Sequence, residues 1–400
     1  MTEVVVTGMA AIAPNGVGVE DYWDATLDGR SGLYPIRGFD ATSYPIRVAG
    51  EVPDFDAARH LPPRLLAQTD RMTRYALAAA DWAVADAAVP PDADGEFGVL
   101  TAAAAGGFEF GQRELEKLWG QGPDRVSAYQ SFAWFYAVNT GQISIRHGLR
   151  GTGSVLVAGQ AGGLDAIAEA ARMLRRGTNA LVLTGGFEAS VCPWGLVAHG
   201  TTGVMSTDPD PRWAYLPFDE RASGAVPGEG GALLVLERSA DAARRGAPQV
   251  HGRIAGHAAT FDPPPGSDRE PGLTRAIRAA LRDAELPSEA VDAVFADAAG
   301  TPDRDRAEVE ALGAVFGPRG VPVTAPKSMT GRLDSGGGPL DVVTALLSVR
   351  DGVLPPTIGT RRAPGGLDLV LEEPRELPLR TALVLAREPG GFNSALVVTA

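Results

Sequence analysis

The sequence predicts an α/β protein built from two similar halves, and three observations predict it. Short apolar or β-branched runs alternate with stretches of helical spacing along the whole chain. The style of residues 1–240 returns in residues 241–400, which points to an internal duplication. With 44% apolar and 21% charged residues, the 400-residue chain has the makeup of a packed globular protein.

The elements follow in order. Residues 3–7 (EVVVT) are β-branched and stop at Gly8, a strand. Met72, Tyr75, Ala76, Ala79, Trp82 and Ala83 fall at helical spacing within residues 70–88. Residues 97–101 (FGVLT) are a strand, as is the apolar run 154–157. Leu164, Ile167, Ala168, Ala171 and Leu174 share one face of a helix over 163–176. Gly177 is placed to end it, after Arg175 and Arg176, which suit the negative end of a helix dipole. Residues 180–184 (ALVLT) and 232–236 (ALLVL) are buried strands. The second half supplies strands at 251–257, 293–298, 381–386 and 394–399, with helices at 273–284 and 339–349. Residues 239–248 are the expected hinge between the halves 1–240 and 241–400, and the Pro-rich 262–266 is a surface loop.

Bulk properties narrow the function. A net charge of −13 argues against nucleic acid as a partner. No apolar run approaches the length of a membrane span, so no membrane association is expected. The N-terminus enters a strand at once, without the basic and apolar regions of a signal peptide. Cys192 is the single cysteine and has no partner for an internal disulfide. A cytoplasmic protein without a metal site is the expectation.

Residues 157–166 (VAGQAGGLDA) draw attention. An apolar strand stops at Ala158-Gly159 and an amphipathic helix begins. Such a turn presents a side chain at a helix N-terminus, where unpaired N–H groups and the dipole favour an anionic nucleophile. Gln160 stands there instead. Its amide does not ionise and exchanges only hydrogen bonds.

This turn resembles the active-site turn of β-ketoacyl synthases, whose pattern is Thr-Ala-Cys, two small residues, then Gly-Leu-Asp. The resemblance extends along the chain. Pro217-Phe218-Asp219-Glu220-Arg221 through Gly228-Glu229-Gly230-Gly231 is similar to the family's ProPheAsp to GlyGluGly segment. Lys327-Ser328-Met329-Thr330-Gly331 resembles its Lys-Ser to Thr-Gly motif, and Gly390-Gly391-Phe392-Asn393-Ser394 its C-terminal loop. The resemblance implies a duplicated five-layer αβαβα thiolase-type fold. It also implies a Cys-His-His triad, and here the chain departs. Gln160 replaces the nucleophile. Anchored on Asp305-Arg306-Ala307-Glu308, the first histidine position is Asp297. The second is Arg332. Lys327 and Glu308 remain at family positions, and none of His60, His147, His199, His251 and His257 lies in these motifs.

Loss of all three groups resembles the chain-length factor, or ketosynthase β subunit, of type II aromatic polyketide synthases. The resemblance implies a heterodimer with a ketosynthase α subunit, and substrates carried on the phosphopantetheine of an acyl carrier protein, with no cofactor of the chain's own. Its implied role is to complete a buried tunnel and set polyketide length. Gln160 then has two readings. One is structural: the amide satisfies buried N–H groups in a pocket that no longer reacts. The other is decarboxylation of malonyl-carrier protein to an acetyl primer, which the negative charge of Asp297 opposes. Direct condensation has no nucleophile. Asp297 and Arg332 either pair across the pocket or face separate neighbours.

Two further stretches matter. Phe108, Gly111 and Leu115 fall at i, i+3 and i+7, one helical face that the resemblance places on the tunnel floor. A small Gly111 and Leu115 suit a deep tunnel and a long, decaketide-like product; ordinary core packing is the competing reading. Trp194 is a candidate wall residue or a core Trp. Residues 127–145 are rich in aromatics, with Tyr129, Phe132, Trp134, Phe135 and Tyr136 as candidate interface residues.

Overall fold

The computed structural model describes residues 2–90 and 97–400. One large mixed sheet runs through it. Its first five strands are β1 (Val4–Ala13), β2 (Phe97–Ala102), β3 (Gly153–Leu156), β4 (Leu181–Glu188) and β5 (Gly230–Arg238). The next five are β6 (Gly252–Phe261), β7 (Ala293–Phe295), β8 (Pro322–Thr324), β9 (Thr381–Arg387) and β10 (Phe392–Thr399). In space the first group lies in the order β3-β2-β4-β5-β1 and the second in the order β8-β7-β9-β10-β6, so each strand has its counterpart five strands later. The directions match as well. β5 is antiparallel to β1 and β4, whereas β4, β2 and β3 are parallel; β10 is antiparallel to β6 and β9, whereas β9, β7 and β8 are parallel. β1 and β6 join the two groups through a short antiparallel contact, Val5 opposite Arg253 and Val6 opposite Gly252.

The helices repeat too. α1 (Arg71–Asp86), α2 (Phe108–Gln121), α3 (Val138–His147), α4 (Gly162–Arg175) and α5 (Pro193–Thr201) belong to the first half. α6 (Gly272–Asp283), α7 (Pro302–Phe316) and α8 (Gly337–Asp351) belong to the second. α4 and α8 pack on each other and on strands of both groups, which puts them in a central layer. α1 and α3 cover the outer face of the first group, and α6 and α7 that of the second. The result is the five-layer αβαβα thiolase-type arrangement. The apolar core divides accordingly. Leu164, Ile167, Leu174, Leu340, Val343, Leu347, Leu234 and Val384 fill the centre. Tyr75, Ala76 and Ala79 lie in one outer core, Ile277 and Leu281 in the other.

Most expected elements are present, with shifted ends. β1 continues through a bulge near Gly8 to Ala13 rather than stopping at Thr7. β7 stops at Phe295 and not at Ala298. The N–H groups of Asp297 and Ala298 leave the ladder for the Glu308 carboxylate, and Ala298 takes a left-handed conformation (φ 51°). The expected hinge at 239–248 is instead largely helical. Ser239–Arg245 forms a helix stopped by left-handed Gly246, and Ser239 N–H donates to the Glu3 carbonyl. Pro and Gly at 246–248 mark only its end. Residues 262–266 are a loop, as expected.

The central layer depends on a close approach. A Cβ on Gly163 of α4 would lie 2.3 Å from Pro339 Cδ and 2.3 Å from the Ser335 carbonyl oxygen. Neither can move without shifting α8. Gly141 in α3 has nothing within 4 Å of such an atom. Gly163→Ala should therefore lose about 1–3 kcal/mol, while Gly141→Ala should gain up to about 1 kcal/mol from helix propensity. Denaturation midpoints at fixed protein concentration check both; equal midpoints would refute the tight-packing account.

Candidate functional site

β3 ends at Leu156, and the chain turns through Gly159 (φ 53°) into a single 3-10 turn, Gly159–Ala161, ahead of α4. Gln160 sits on that turn and is 9% exposed. Its side-chain amide donates to Asp334 Oδ1 (2.7 Å), and its backbone N–H donates to Glu388 Oε2 (2.7 Å). Asp334 lies ahead of α8 and Glu388 follows β9, so the turn is closed from the opposite half.

Asp297 and Arg332 are both buried and they pair. Arg332 Nη2 donates to Asp297 Oδ1 at 2.8 Å. The guanidinium also donates to the carbonyls of Asp297 (2.7 Å), Ala298 (3.3 Å) and Arg387 (3.2 Å). Arg387 N–H supplies a further bond to Asp297 Oδ1, at 2.8 Å. Burial pushes the Asp297 carboxyl up, but Arg332, Arg304 and Arg387 outweigh it and hold it at about 2. Glu308 behaves oppositely. Burial and the Asp297 charge push it up to about 7, although it accepts the N–H groups of Asp297 (2.7 Å) and Ala298 (2.9 Å). Lys327 pairs with Asp341 (2.7 Å) and donates to the Ala296 carbonyl, anchoring the second loop to α8. These groups enclose a cavity of about 10 Å³ lined by Tyr22, Gln160, Asp297, Lys327, Arg332 and Asp341 among others. That is the space of one water molecule at most.

Several neighbours of the turn left no local signal in the sequence. His199 of α5 bonds Ser190 Oγ (2.8 Å) and comes within 3.9 Å of Asp334 Oδ2, which links it to Gln160. Glu188, at the end of β4, accepts from Ser335 Oγ (2.6 Å) and from Ala104 N–H. Burial, then the Asp334 charge, raise its pKa to about 8. His257 bonds Asp165 Oδ1 (3.1 Å) and Ser394 Oγ (2.9 Å), tying α4 to β6 and β10. Cys192 caps α5 and is buried, which pushes its thiol up to about 11.

Phe108, Gly111 and Leu115 all belong to α2, which begins at Phe108. Gly111 is buried, whereas Phe108 and Leu115 are half-buried. Trp194, on the first turn of α5, stacks on Phe108 with ring centroids 4.9 Å apart and 8° between planes. It is 39% exposed, so it is no core Trp. A Cβ on Gly111 would meet Trp194 Cζ3 at 3.2 Å. The volume missing at Gly111 is thus taken by the indole. Tyr129, Trp134, Phe135 and Tyr136 are exposed; Phe132 is half-buried and packs on the outer core of the first half.

Residues 1–242 match the family description "Beta-ketoacyl synthase, N-terminal domain", and residues 251–361 match "Beta-ketoacyl synthase, C-terminal domain". The chain belongs to the β-ketoacyl synthase family. The tetracenomycin polyketide synthase ketoacyl synthase β subunit of Streptomyces glaucescens is 66% identical over 399 residues, 99% of this chain and 98% of the relative. The resemblance to ketosynthase β subunits is borne out over the whole length. Among solved structures, the ishigamide ketosynthase/chain length factor superposes with a TM-score of 0.90 at 29% identity, covering 100% of this chain and 99% of that one. A second, titled as a type II polyketide synthase acyl-carrier protein in complex with its ketosynthase bound to the hexaketide, gives 0.88 at 26% identity, with coverage of 100% and 99%.

At the turn the chain presents the Gln160 amide, and beside it the buried Asp297–Arg332 pair and a cavity of about 10 Å³. Asp334 and Glu388 contact Gln160 and Glu188 lies behind them, so the surroundings of the turn are acidic.

The ion pair gives one test. Arg332→Met leaves the Asp297 carboxylate buried without its main partner and should cost about 3–5 kcal/mol. Adding Asp297→Leu should recover most of that loss in denaturation midpoint; a double variant as unstable as the single would refute the pairing account. Glu188 gives another. Its folded pKa lies above the unfolded value, so the stability it contributes is complete below about 4.5 and is lost as pH rises through about 8. Glu188→Gln should flatten stability between pH 5 and 8, read as midpoint against pH. An unchanged slope would refute the assignment.

Proposed function

We propose that the chain is the non-condensing β subunit, the chain-length factor, of a type II polyketide synthase. It pairs with a ketosynthase α subunit, and the pair extends a polyketide delivered on the phosphopantetheine of an acyl carrier protein. It works in the cytoplasm, and its two ketosynthase-like halves are residues 1–240 and 241–400. One observation supports the reading: Asp297 and Arg332, which the motif resemblance aligns with the two histidines, are spent on each other in a buried pair, with Gln160 aligned with the nucleophile. Lys327 and Glu308 serve as scaffolding that holds the loops of this pair.

The face of α2 that carries Phe108, Gly111 and Leu115, closed by Trp194, lines the polyketide tunnel. Trp194 fills the space that Gly111 leaves, so the depth that favours a long, decaketide-like product comes from the small Leu115 and from where Gly111 lets the indole sit. Tyr129, Trp134, Phe135 and Tyr136, with Phe132 behind them, contact the α subunit. Their exposure in the single chain supports this. So do the open edge of β3 and the exposed Ile145 and Val157 beside it.

The alternative, a malonyl-carrier-protein decarboxylase acting through Gln160, needs donors aimed at an enolate oxygen. One side-chain N–H of Gln160 and its backbone N–H are committed to carboxylates. With the partner ketosynthase, carrier protein and malonyl supply, Gln160→Ala should therefore leave polyketide output and length unchanged, with or without acetyl primer. Loss of output restored by acetyl primer would establish the decarboxylase. Gly111→Phe should push Trp194 into the tunnel and shift product masses down by whole malonyl-derived units; unchanged masses would remove the tunnel assignment.

A further inference from the structure

The backbone donor of the elbow is already taken. Glu388 opens the turn between β9 and β10, which is closed by Glu388 N–H to the Phe392 carbonyl and Gly391 N–H to the Glu388 carbonyl, both 2.9 Å. From there its side chain lies flat over Gly159. A Cβ on Gly159 would fall 2.1 Å from Glu388 Oε2, 2.4 Å from Cδ and 2.9 Å from Cγ. The missing side chain at 159 is what lets the carboxylate reach Gln160 N–H at 2.7 Å. A carboxylate on a backbone N–H at a helix start is a charge-assisted bond in a favourable dipole.

We propose that Glu388 is a built-in plug, a carboxylate of the chain itself seated where a thioester oxygen would have to bind, and that it keeps acyl groups off this subunit's elbow independently of Gln160. Acyl transfer at such a turn requires the elbow N–H to meet the oxygen on which negative charge develops. Glu388 holds that donor and adds a negative charge at the same place, with Asp334 beside it; Arg332 and Arg304 temper this charge from the other side. Restoring a nucleophile would then not restore acylation. The growing chain is directed to the α subunit by two barriers in series, an inert side chain and an occupied donor. This rests on the non-condensing reading, but its test does not involve product length.

The experiment introduces a thiol at the elbow and asks whether Glu388 silences it. Gln160→Cys, Gln160→Cys with Glu388→Ala, and Gln160→Cys with Glu388→Gln are each purified with the α subunit, and co-purification reports folding. Alkylation by iodoacetamide is followed against pH by peptide mass mapping, which separates the new thiol from Cys192. The other charged and titratable groups around the elbow (Asp334, Glu188, His199, Asp297, Arg304, Lys327, Asp341 and Arg332) are the same in all three. With Glu388 intact the thiol should react slowly and only at high pH. Glu388→Ala should accelerate alkylation at neutral pH about tenfold and lower the thiol pKa by about one unit. Glu388→Gln, which keeps the shape but not the charge, should give a smaller gain in the same direction. Equal rates and pKa values in all three overturn the plug. Should Glu388→Ala fail to co-purify, the Gln variant alone decides, because an unchanged pKa there also overturns it. Either result leaves the chain-length assignment to be judged on the α2 face.

Discussion

The Arg332 guanidinium donates to the Asp297 carboxylate and to the backbone carbonyls of Asp297, Ala298 and Arg387. Those groups belong to the loop after β7 and to the end of β9, so one cation holds three segments of the second half. The need for it is electrostatic. A carboxylate as buried as Asp297 is costly unless a cation and hydrogen bonds surround it. Once Arg332 is committed in this way, neither residue has freedom to move a proton or receive a substrate. Glu308 underneath holds the backbone of the same loop. The closed cavity and the fixed position of the loops facing Gln160 follow from this pair.

The pair also makes sense of what surrounds Gln160. In a site that must stabilise developing negative charge, carboxylates near the elbow would be harmful. Here Asp334 and Glu388 are its hydrogen-bond acceptors. A glutamine has two side-chain N–H donors and a backbone N–H, so it satisfies acidic neighbours that a thiolate would repel. Acidic acceptors and an amide at the elbow are mutually consistent.

Reading the sequence went furthest where periodicity and motif agree. The face Leu164, Ile167, Ala168, Ala171 and Leu174 is buried as its spacing requires, and the repeated order of strands was foreshadowed by the repeated alternation. Short motifs flank Gln160, Asp297 and Arg332, and the structure brings these three residues to one cavity. Contacts made by distant, unmarked residues were not legible in the sequence. Glu388 and Asp334 lie 228 and 174 residues from Gln160; motifs lie close to both, but neither residue is part of one and nothing local shows that it reaches the elbow. Residues 239–248 do connect the last strand of the first half to the first strand of the second, but Pro and Gly cluster only at one end, while the alanines and arginines before them form a helix. Whether Asp297 and Arg332 face each other depends on how the loops after β7 and β8 are placed, and spacing along the chain carries no such information.

A chain whose proposed role is to shape a shared tunnel has reason to keep the whole fold. The α2 face that carries Phe108, Gly111 and Leu115, the proposed tunnel wall, lies next to the aromatic stretch that follows it and to Trp194 on α5, and these are set by α2 packing on its neighbours. Their precision comes from the buried layers beneath. Phe132 ties the aromatic stretch to the outer core, while its neighbours stay in solvent. The interior is closed and highly constrained, whereas Tyr129, Trp134, Phe135 and Tyr136 stay exposed on the stretch after α2. In the proposed role the α subunit covers them. Shape, delivered to a partner through a rigid scaffold, is then the property that remains for sequence change to adjust, and Gly111 beneath Trp194 is a position where one side chain alters it.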